Sequence, residues 1–527
     1  MAQSTVSQVL GTPIQNVFVD NCGNYDYIEY KGDDQTLIYW YSNKYHFTTA
    51  GLWSEASNWQ DGIVPYSNVD EIYIEANCQL DQAANVGTLT VTEGTLTLLS
   101  GKTLTVNAVL TNTTAEALVI KDGAQLINAS PNVAATVEKD ITAYGTNNPD
   151  GWYTIASPVN TMTIAGSDFL TTKYDLYRFN ETNLTHQEWE NYKGNIHPDF
   201  TTFENGRGYL YANSNTFSPV FVGTLNVAPV TYRLTYTNRP DELDGFNLIG
   251  NPFPHNIYKG SGCAISSSYL ASGYYTLTNQ GAWQVHTDEE AILPGQGILV
   301  KTTRSHNLTI NKITTSDNSK AVKPRMDISV TGTPGSDRCF FYFCEGIGLN
   351  KFNNLDEDAP SLYIRNEGQN YAIAHLNRQT EILDVMFSNK KAGTYTLTIE
   401  GNGMNFEYLH LIDNITGADV DLLHQPGYTF HATGNEFAAR FKVVFKPMTG
   451  VEENQQENFC FVSDEMLYVN MVADGGLLTL TDVLGRVVKS VKLNGNTCSI
   501  SNLQSGVYIV RLTEGTKSYV QKIVINH

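Results

Sequence analysis

A series of very short, glycine-led segments constrains the fold of this chain more than any other feature of its sequence. Gly87–Val91 (GTLTV), Gly94–Leu98 (GTLTL) and Gly101–Val106 (GKTLTV) alternate apolar and polar residues, and Ala117–Ile120 and Gly123–Leu126 continue the series. Such alternation predicts β-strands. Because each segment is too short to bury its own apolar face, we expect neighbours to stack as a small β-solenoid, with a run of hairpins as the alternative.

Length and composition extend the prediction of β-structure to the whole chain. Its 527 residues correspond to roughly three to four domains. The 42 glycines, the 30 tyrosines and a charged fraction of only 17% are typical of an all-β protein with many turns. A net charge of −21 argues against nucleic acid as a partner. We expect no transmembrane segment, because no long apolar run is present, and the opening residues do not have the pattern of a signal peptide.

Two segments about 90 residues apart are copies of one pattern. Gly151–Pro158 (GWYTIASP) and Gly245–Pro252 (GFNLIGNP) share glycine, an aromatic residue, isoleucine and proline at the same offsets, and Gly206–Leu210 (GRGYL) and Gly295–Leu299 (GQGIL) follow them. Neither G-x-G pair is followed by a helical pattern, so we interpret both as turns entering a strand and not as phosphate loops. The repeat predicts two similar β-units that pack as a pseudo-symmetric sandwich.

Four tryptophans are candidate ligand-binding residues. Trp53 and Trp59 lie in a turn-rich stretch that resembles the entry to short β-solenoid modules of large bacterial surface proteins. Trp189 and Trp283 each follow the leading glycine of a copy by 38 residues. Exposed aromatic rings could stack on sugars, but large aromatic residues also dominate protein cores. A position that recurs in both copies favours a role in the core.

The sequence contains no local motif of a common catalytic or metal site. It lacks the H-E-x-x-H, G-x-S-x-G, C-x-x-C and P-loop patterns, so we predict no catalytic residue, metal or cofactor. Paired carboxylates of a glycosidase can come from distant strands without leaving a motif. Glu188, Glu190, Asp199 and Glu204 lie close to aromatic residues and keep a secreted hydrolase, either glycosidase-like or a peptidase, as the alternative to a non-enzymatic protein.

The seven cysteines are an odd number spread over a long chain and do not indicate a disulfide framework. On one strand, Cys339 and Cys344 would point to opposite faces and could not bridge. Cys460 and Cys498, which lie in one small segment, are the better candidates for a disulfide bond. Buried free thiols are the alternative, and they are the commoner state of such residues.

Strand-like segments continue beyond the copies and end in a compact C-terminal unit. The predicted divisions are an N-terminal segment (1–45), the β-solenoid-like region (46–135), the duplicated β-units (136–320), a further β-sandwich (321–447), a polar linker (448–457) and a small C-terminal β-sandwich (458–527). In the last of these, a turn at Leu484–Arg486 (LGR) precedes the strands Gly506–Leu512 (GVYIVRL) and Ser518–Ile525 (SYVQKIVI).

This C-terminal unit resembles the sorting domain of substrates of the type IX secretion system of Bacteroidota. Many members carry an Asn-Pro pair after the first strand, which Phe459–Met466 lacks. The residues that match the family's motif are Leu484, Gly485, Arg486, Gly506, Tyr508, Ile509, Val510, Lys522, Ile523 and Val524.

The resemblance implies export across the outer membrane to the cell surface or the extracellular space. The implied partners are the type IX translocon and its processing enzyme, and the predicted cut lies in the exposed linker. The predicted function is that of a non-enzymatic adhesin or structural surface component, and a glycan or a host matrix protein is a possible ligand. The alternative is a secreted hydrolase that acts on an extracellular polymer.

Overall fold

A computed structural model shows that the chain is all-β, as predicted. Strands make up 52% of the model, and no helix of seven or more residues occurs among the residues that the structure describes. The chain folds into two compact units, Met1–Lys446 and Pro447–His527. The structure describes residues 27–31, 36–40, 44–68, 70–144, 151–171, 173–184, 187–239, 242–278, 281–312, 323–333, 335–354, 356, 358–377, 379–434, 438–447, 460–463, 466–469, 476–483, 485–493, 498–500, 503–514 and 517–525. The predicted linker and most of the N-terminal segment lie outside these residues.

The first unit begins with an antiparallel hairpin and a stack of short strands. These strands are β1 (Tyr27–Lys31), β2 (Thr36–Trp40), β3 (Lys44–Phe47), β4 (Gly51–Leu52), β5 (Glu71–Ile74), β6 (Cys78–Leu80), β7 (Ala84–Val86), β8 (Thr88–Val91), β9 (Leu96–Leu98), β10 (Thr103–Val106), β11 (Leu110–Thr111), β12 (Leu118–Ile120), β13 (Gln125–Ile127) and β14 (Ala134–Glu138). Turns of 3-10 helix lie at Ala56–Asn58, Ala115–Ala117, Asp168–Leu170 and Lys193–Asn195.

Strands β3 to β14 form a parallel β-solenoid, as the glycine-led segments predict. They fall into three parallel sheets, ordered β3-β5-β8-β11, β4-β6-β9-β12-β14 and β7-β10-β13. The register stacks Tyr45, Ile72, Leu89 and Leu110 on one another, and all four side chains are buried. Parallel pairing between successive coils excludes the alternative of ordinary hairpins, because a hairpin pairs its strands antiparallel.

The duplicated region consists of two sheets with one topology. Its strands are β15 (Trp152–Ala156), β16 (Met162–Thr163), β17 (Tyr174–Phe179), β18 (Trp189–Asn191), β19 (Thr202–Phe203), β20 (Gly208–Asn213), β21 (Val220–Thr224), β22 (Val230–Leu234), β23 (Phe246–Gly250), β24 (Tyr274–Leu277), β25 (Trp283–His286), β26 (Gly297–Lys301) and β27 (His306–Ile310). The sheet β15-β20-β17-β18 and the sheet β23-β26-β24-β25 have the same strand order and the same antiparallel pairings. The sequence repeat is therefore a structural repeat.

The two sheets meet through a pair of equivalent backbone bridges. Ile155 of β15 pairs with Gln296, and the equivalent Ile249 of β23 pairs with Arg207. The second glycine of each G-x-G pair, Gly208 or Gly297, directly follows the bridging residue and begins a strand, as predicted. A Cβ atom on Gly208 would lie 2.5 Å from the carbonyl oxygen of Ile249, so this close approach requires glycine.

The rest of the first unit is one large sheet that folds over its own core. Its strands are β28 (Arg325–Gly332), β29 (Gly335–Tyr342), β30 (Leu349–Asn350), β31 (Ser361–Asn366), β32 (Gln369–His375), β33 (Ile382–Ser388), β34 (Gly393–Asn402), β35 (Phe406–Asp413), β36 (Asp419–Asp421), β37 (Gly427–Ala432) and β38 (Phe441–Pro447). The sheet runs β36-β35-β38-β33-β31-β32-β29-β28-β34-β37, and β30 pairs with β32. Side chains from both ends of this order meet in one apolar cluster, as in a β-sandwich.

The second unit is a small β-sandwich of two sheets. Its strands are β39 (Cys460–Ser463), β40 (Met466–Val469), β41 (Leu477–Asp482), β42 (Val487–Lys492), β43 (Cys498–Ile500), β44 (Gly506–Glu514) and β45 (Lys517–Ile525). The sheets β39-β40-β43 and β42-β41-β44-β45 share one apolar core. Cys460 is a buried free cysteine, so the bridge to Cys498 is not formed. Among the described residues, no helix is both long and apolar enough to cross a membrane.

Candidate functional site

The predicted L-G-R turn is a tight hairpin between β41 and β42. Gly485 has a φ of +80°, a conformation that a side chain disfavours, and its N–H donates to the carbonyl oxygen of Asp482 at 3.0 Å. The Arg486 Nε donates to the Asp482 carboxylate at 2.7 Å. This ion pair contributes little stability, because the Arg486 side chain is 75% exposed. Leu484 lies outside the described residues.

The other motif residues face one another across β44 and β45. The register pairs Tyr508 with Ile523 and Ile509 with Lys522. Tyr508, Val510 and Ile523 are buried, whereas Lys522 is exposed. The Tyr508 hydroxyl donates to the carbonyl oxygen of Gln504 at 2.9 Å. Gly506 begins β44, and its partner across the ladder is Ile525. Val524 pairs with Val507. The motif therefore combines core residues of the sandwich with side chains on its surface.

Gln521 completes this part of the sandwich, and sequence reasoning did not find it. Its amide accepts a hydrogen bond from the Cys460 N–H at 3.1 Å and donates to the Cys460 carbonyl oxygen at 2.7 Å. One side chain thus satisfies both backbone groups of a residue in the opposite sheet. The signal was present in the sequence, since Gln521 is a polar residue at the same alternation as the buried Ile523 and Ile525.

The candidate tryptophans are packed in the protein interior. Trp53 and Trp59 are buried in the first coil of the solenoid, where the Trp59 Nε1 donates to the carbonyl oxygen of Trp53 at 2.8 Å. Trp283 is also buried, and Trp189 is half-buried. The three buried rings fit the core alternative, and the half-buried Trp189 ring stacks on Trp283.

The carboxylates suggested for a hydrolase form a structural ion-pair cluster. Arg178 binds Glu190 through Nε and Asp199 through Nη2, the latter at 2.7 Å. Burial alone would raise the pKa of Glu190, but hydrogen bonds from Asn180, Arg178 and Asn183 outweigh it and hold this pKa below its usual range. The hydrogen bond from Arg178 lowers the pKa of Asp199 as well. Two such carboxylates stay ionised and do not suit the general acid of a glycosidase.

The other two carboxylates suggested for a hydrolase, Glu188 and Glu204, are not arranged as a catalytic pair. Glu188 is buried, and Glu204 forms an ion pair with Arg207 at 3.2 Å. Within the described ranges, no three His, Cys, Asp or Glu side chains come together in a way that could hold a metal ion.

A large open cleft lies elsewhere in the first unit, where the second copy meets the large sheet. Its volume is about 1070 Å³. The floor is formed by the adjacent strands β33, β31, β32 and β30. The lining residues are Arg239, Glu242, Asp244, Lys301, Asn350, Lys351, Asn353, Asn354, Asp356, Ala359, Ser361, Tyr363, Gly368, Gln369, Asn370, Tyr371, Ser388, Asn389 and Lys390.

Several polar side chains of this cleft have no partner in the described part of the protein. They comprise three amides, two aliphatic hydroxyls and two phenols, namely Asn350, Gln369, Asn370, Ser361, Ser388, Tyr363 and Tyr371. Other polar groups in the walls are held by the protein. The Asn354 Oδ1, for example, accepts a hydrogen bond from the Trp283 N–H at 2.9 Å. The cleft thus combines fixed walls with hydrogen-bonding groups that a ligand can use.

A pair of carboxylates marks one wall of the cleft. Asp244 lines it, and Glu181 shares a partner with Asp244, because the Thr237 hydroxyl lies 2.7 Å from Glu181 and 3.4 Å from Asp244. Burial raises the pKa of Asp244, and the negative charge of Glu181 adds to this effect. Sequence reasoning could not find this pair, since Glu181 lies inside the first copy and Asp244 directly before the second, far apart in sequence.

Comparison with known proteins identifies two segments. Residues 45–261 match a family described as a domain of unknown function (DUF8693). Residues 463–526 match the family of secretion system C-terminal sorting domains. A search of curated proteins finds no match.

Two solved structures match this chain at low identity and low TM-score. PorZ of Porphyromonas gingivalis, titled an essential bacterial surface component of the type IX secretion system, is 10% identical, with a TM-score of 0.13 over 58% of this chain and 52% of PorZ. This chain therefore spans about half the length of PorZ. The BSP domain of a biofilm associated protein is 10% identical, with a TM-score of 0.11 over 74% of this chain and 96% of that domain. Neither TM-score indicates a shared fold.

The C-terminal match covers most of the residues that form the small sandwich. It also assigns a destination, because such a domain directs a protein through the type IX machinery across the outer membrane to the cell surface or the extracellular space. Residues 463–526 thus match the secretion system C-terminal sorting domains, and the match indicates export across the outer membrane.

Proposed function

We propose that this exported chain is a surface binding protein, either an adhesin or a structural component that holds extracellular polymers. The observation that carries the proposal is the open cleft of about 1070 Å³ whose floor presents polar side chains without protein partners in the described part of the chain. Ligand sites are typically concave and contain a few converging polar groups. Export supplies the context, since a cleft of this kind meets extracellular polymers only outside the cell.

A secreted hydrolase is the second candidate, and one observation favours it. Asp244 and Glu181 share the Thr237 hydroxyl at the wall of the cleft, and the pKa of Asp244 is raised. A carboxyl group with a raised pKa beside a second carboxylate resembles the carboxyl pair that glycoside hydrolysis uses. Asp244 also accepts a hydrogen bond from the Arg239 N–H at 3.0 Å, which is equally consistent with a structural role.

A single array experiment separates the two candidates. The full chain is applied to immobilised glycans and matrix proteins, and both its retention and the mass of each arrayed ligand are recorded. Retention on a ligand of unchanged mass supports the binding protein. A loss of ligand mass that disappears in Asp244→Asn supports the hydrolase. If the chain is neither retained nor active on any ligand, the binding proposal fails.

A further inference from the structure

We propose that the cleft binds a neutral oligosaccharide chain, which lies along the floor formed by β33, β31, β32 and β30. This inference rests on the proposed binding function and names the ligand class of the same site. It depends on three properties of the cleft: the chemistry of its unpartnered groups, the position of its two tyrosines and the state of its charged residues.

The unpartnered groups match the hydroxyls of sugars. An amide offers donors and an acceptor side by side, and a hydroxyl can serve as either, so both suit a ligand whose hydroxyls also donate and accept. Asn350, Gln369 and Asn370 supply amides, and Ser361 and Ser388 supply hydroxyls. Ser361 and Ser388 are direct neighbours across β31 and β33. Asn350 is the cross-strand neighbour of Tyr371. The groups therefore lie along the sheet and not at a single point.

The two tyrosines lie on opposite faces of the sheet. Tyr363 shares its face with Ser361 and Ser388. Tyr371, the partner of Ile364, packs toward the core. Tyr363 lies on β31 and Tyr371 on β32, and both side chains are half-buried. Burial raises the pKa of both phenols, so both remain neutral and keep their hydroxyl donors. An amphipathic ring with a polar tip suits a sugar, which has an apolar C–H face and a polar edge.

The charged residues of the cleft favour a neutral chain over a polyanion. Four basic residues are accompanied by three acidic ones. The Arg239 guanidinium binds the carbonyl oxygens of Asn183 and Glu181, and Lys351 forms a buried ion pair with Asp337. The Lys301 ammonium lies 5.0 Å from the centre of the Phe246 ring. Because three of the four cations have these contacts and three carboxylates offset most of the positive charge, the cleft does not have the field that attracts a polyanion.

The test is affinity electrophoresis of the full chain through gels that contain dextran, mannan or a β-glucan, with hyaluronan as the anionic polymer. We expect at least one neutral polysaccharide to retard the chain. Tyr363→Ala and the double variant Gln369→Ala/Asn370→Ala should each weaken that retardation about tenfold, as expected for the loss of a ring contact or of two hydrogen bonds. Tyr66→Ala, which removes an exposed tyrosine outside the cleft, should behave like the original chain.

The outcomes separate this inference from the function on which it rests. Retardation by hyaluronan alone, or binding only to a matrix protein on the array, overturns the neutral glycan and leaves the binding function intact. Retardation by a neutral polysaccharide that all the cleft variants retain overturns the site. Binding to no glycan and no protein overturns both. Gln369 and Asn370 are exposed, so their double variant keeps the test valid if Tyr363→Ala does not fold.

Discussion

The indole rings of Trp189 and Trp283 stack on each other, with centroids 6.5 Å apart and planes inclined by 27°. Each ring begins the last strand of its sheet, and the two positions are equivalent in the repeat. A residue of one copy therefore packs on its own counterpart in the other copy. This contact explains the recurrence of tryptophan in both copies through the shared core, without reference to a ligand.

The cost of removing the two rings should differ with their burial. Trp283 is 1% exposed and also packs edge-to-face on Phe352, with ring centroids 5.1 Å apart. We expect Trp283→Ala to lower the free energy of unfolding by about 3–5 kcal/mol. Trp189→Ala should cost less, because its ring is only half-buried. Urea unfolding of the full chain, followed by circular dichroism, measures both values. Equal losses would contradict this account of the contact.

The G-x-G glycines should tolerate no side chain where the two copies meet. A Cβ atom on Gly208 would lie 2.5 Å from the Ile249 oxygen, and one on Gly297 would lie 2.9 Å from the Ile155 oxygen. We expect Gly208→Ala to destabilise the protein by about 1–3 kcal/mol and Gly297→Ala by less, as overpacking typically does. Gly427→Ala is the matched control, since its nearest neighbours are 3.7 Å away. Thermal melts that shift equally for all three would exclude close approach as the cause.

A buried ion pair in the large sheet should be sensitive to the loss of one partner. The Arg440 Nη2 donates to Asp413 at 2.9 Å, and both side chains are 1% exposed. The Arg440 guanidinium also lies 4.3 Å from the centre of the Phe430 ring. We expect Arg440→Met to cost about 3–5 kcal/mol, because it leaves a buried carboxylate without its cation. The double variant Arg440→Met/Asp413→Asn should recover part of that loss in the same denaturation assay.

Glu290 should make stability depend on pH in the acidic range. Burial alone would raise its pKa, but the hydrogen bond and charge of His286 and the charge of Arg338 hold this pKa at about 2. A carboxyl with a lowered pKa stabilises the folded state above its unfolded pKa of about 4.3, and that stability is lost as the pH falls toward 2. Because 34% of the side chain is exposed, we expect a contribution of about 1–2 kcal/mol.

Glu290→Gln provides the comparison for this pH effect. The difference in melting temperature between the original chain and the variant should be largest above pH 5 and should shrink as the pH falls toward 2. A difference that stays constant across this range would show that Glu290 acts through its shape and not through its charge.

The exposed motif residues of the sorting domain should affect export more than stability. Arg486 and Lys522 lie on the surface of the sandwich, so Arg486→Ala/Lys522→Ala should change the free energy of unfolding by less than about 0.5 kcal/mol. We expect it to lower the amount of protein that reaches the cell surface, measured by protease accessibility of intact cells. Lys489→Ala, an exposed lysine outside the motif, is the control. If the double variant is exported normally, the exposed residues of the motif are not needed for export, and only its buried residues can carry the signal.

Local periodicity made much of the fold predictable. The glycine-led segments indicated the solenoid, because stacking is the way in which such short strands bury Leu89 or Leu96. The repeat indicated two equivalent sheets, because equal spacing of glycine, isoleucine and proline produces equal strands. The proximity of Glu190 and Asp199 was real, but the sequence could not show that Arg178 lies between them.

The cleft could not be predicted from the sequence. Its lining comes from separate stretches between Arg239 and Lys390, which only tertiary packing brings together. Amides and hydroxyls such as Asn350 and Ser361 follow no spacing rule that would distinguish a ligand floor from ordinary surface. Charged groups can be picked out from a sequence as candidate catalytic residues, whereas neutral hydrogen-bonding groups cannot.

The solenoid permits the length of this protein to change in discrete steps. Successive coils pair through their short parallel strands, the last coils also bond to the second copy near Pro254, and β14 ends the stack by pairing antiparallel with β21. Insertion or removal of one whole coil would therefore move the β3 end by about 4.8 Å, the spacing of adjacent strands, and leave the β14–β21 junction and the cleft unchanged. Evolution can thus adjust the reach of the N-terminal end independently of the cleft and of the C-terminal sorting domain.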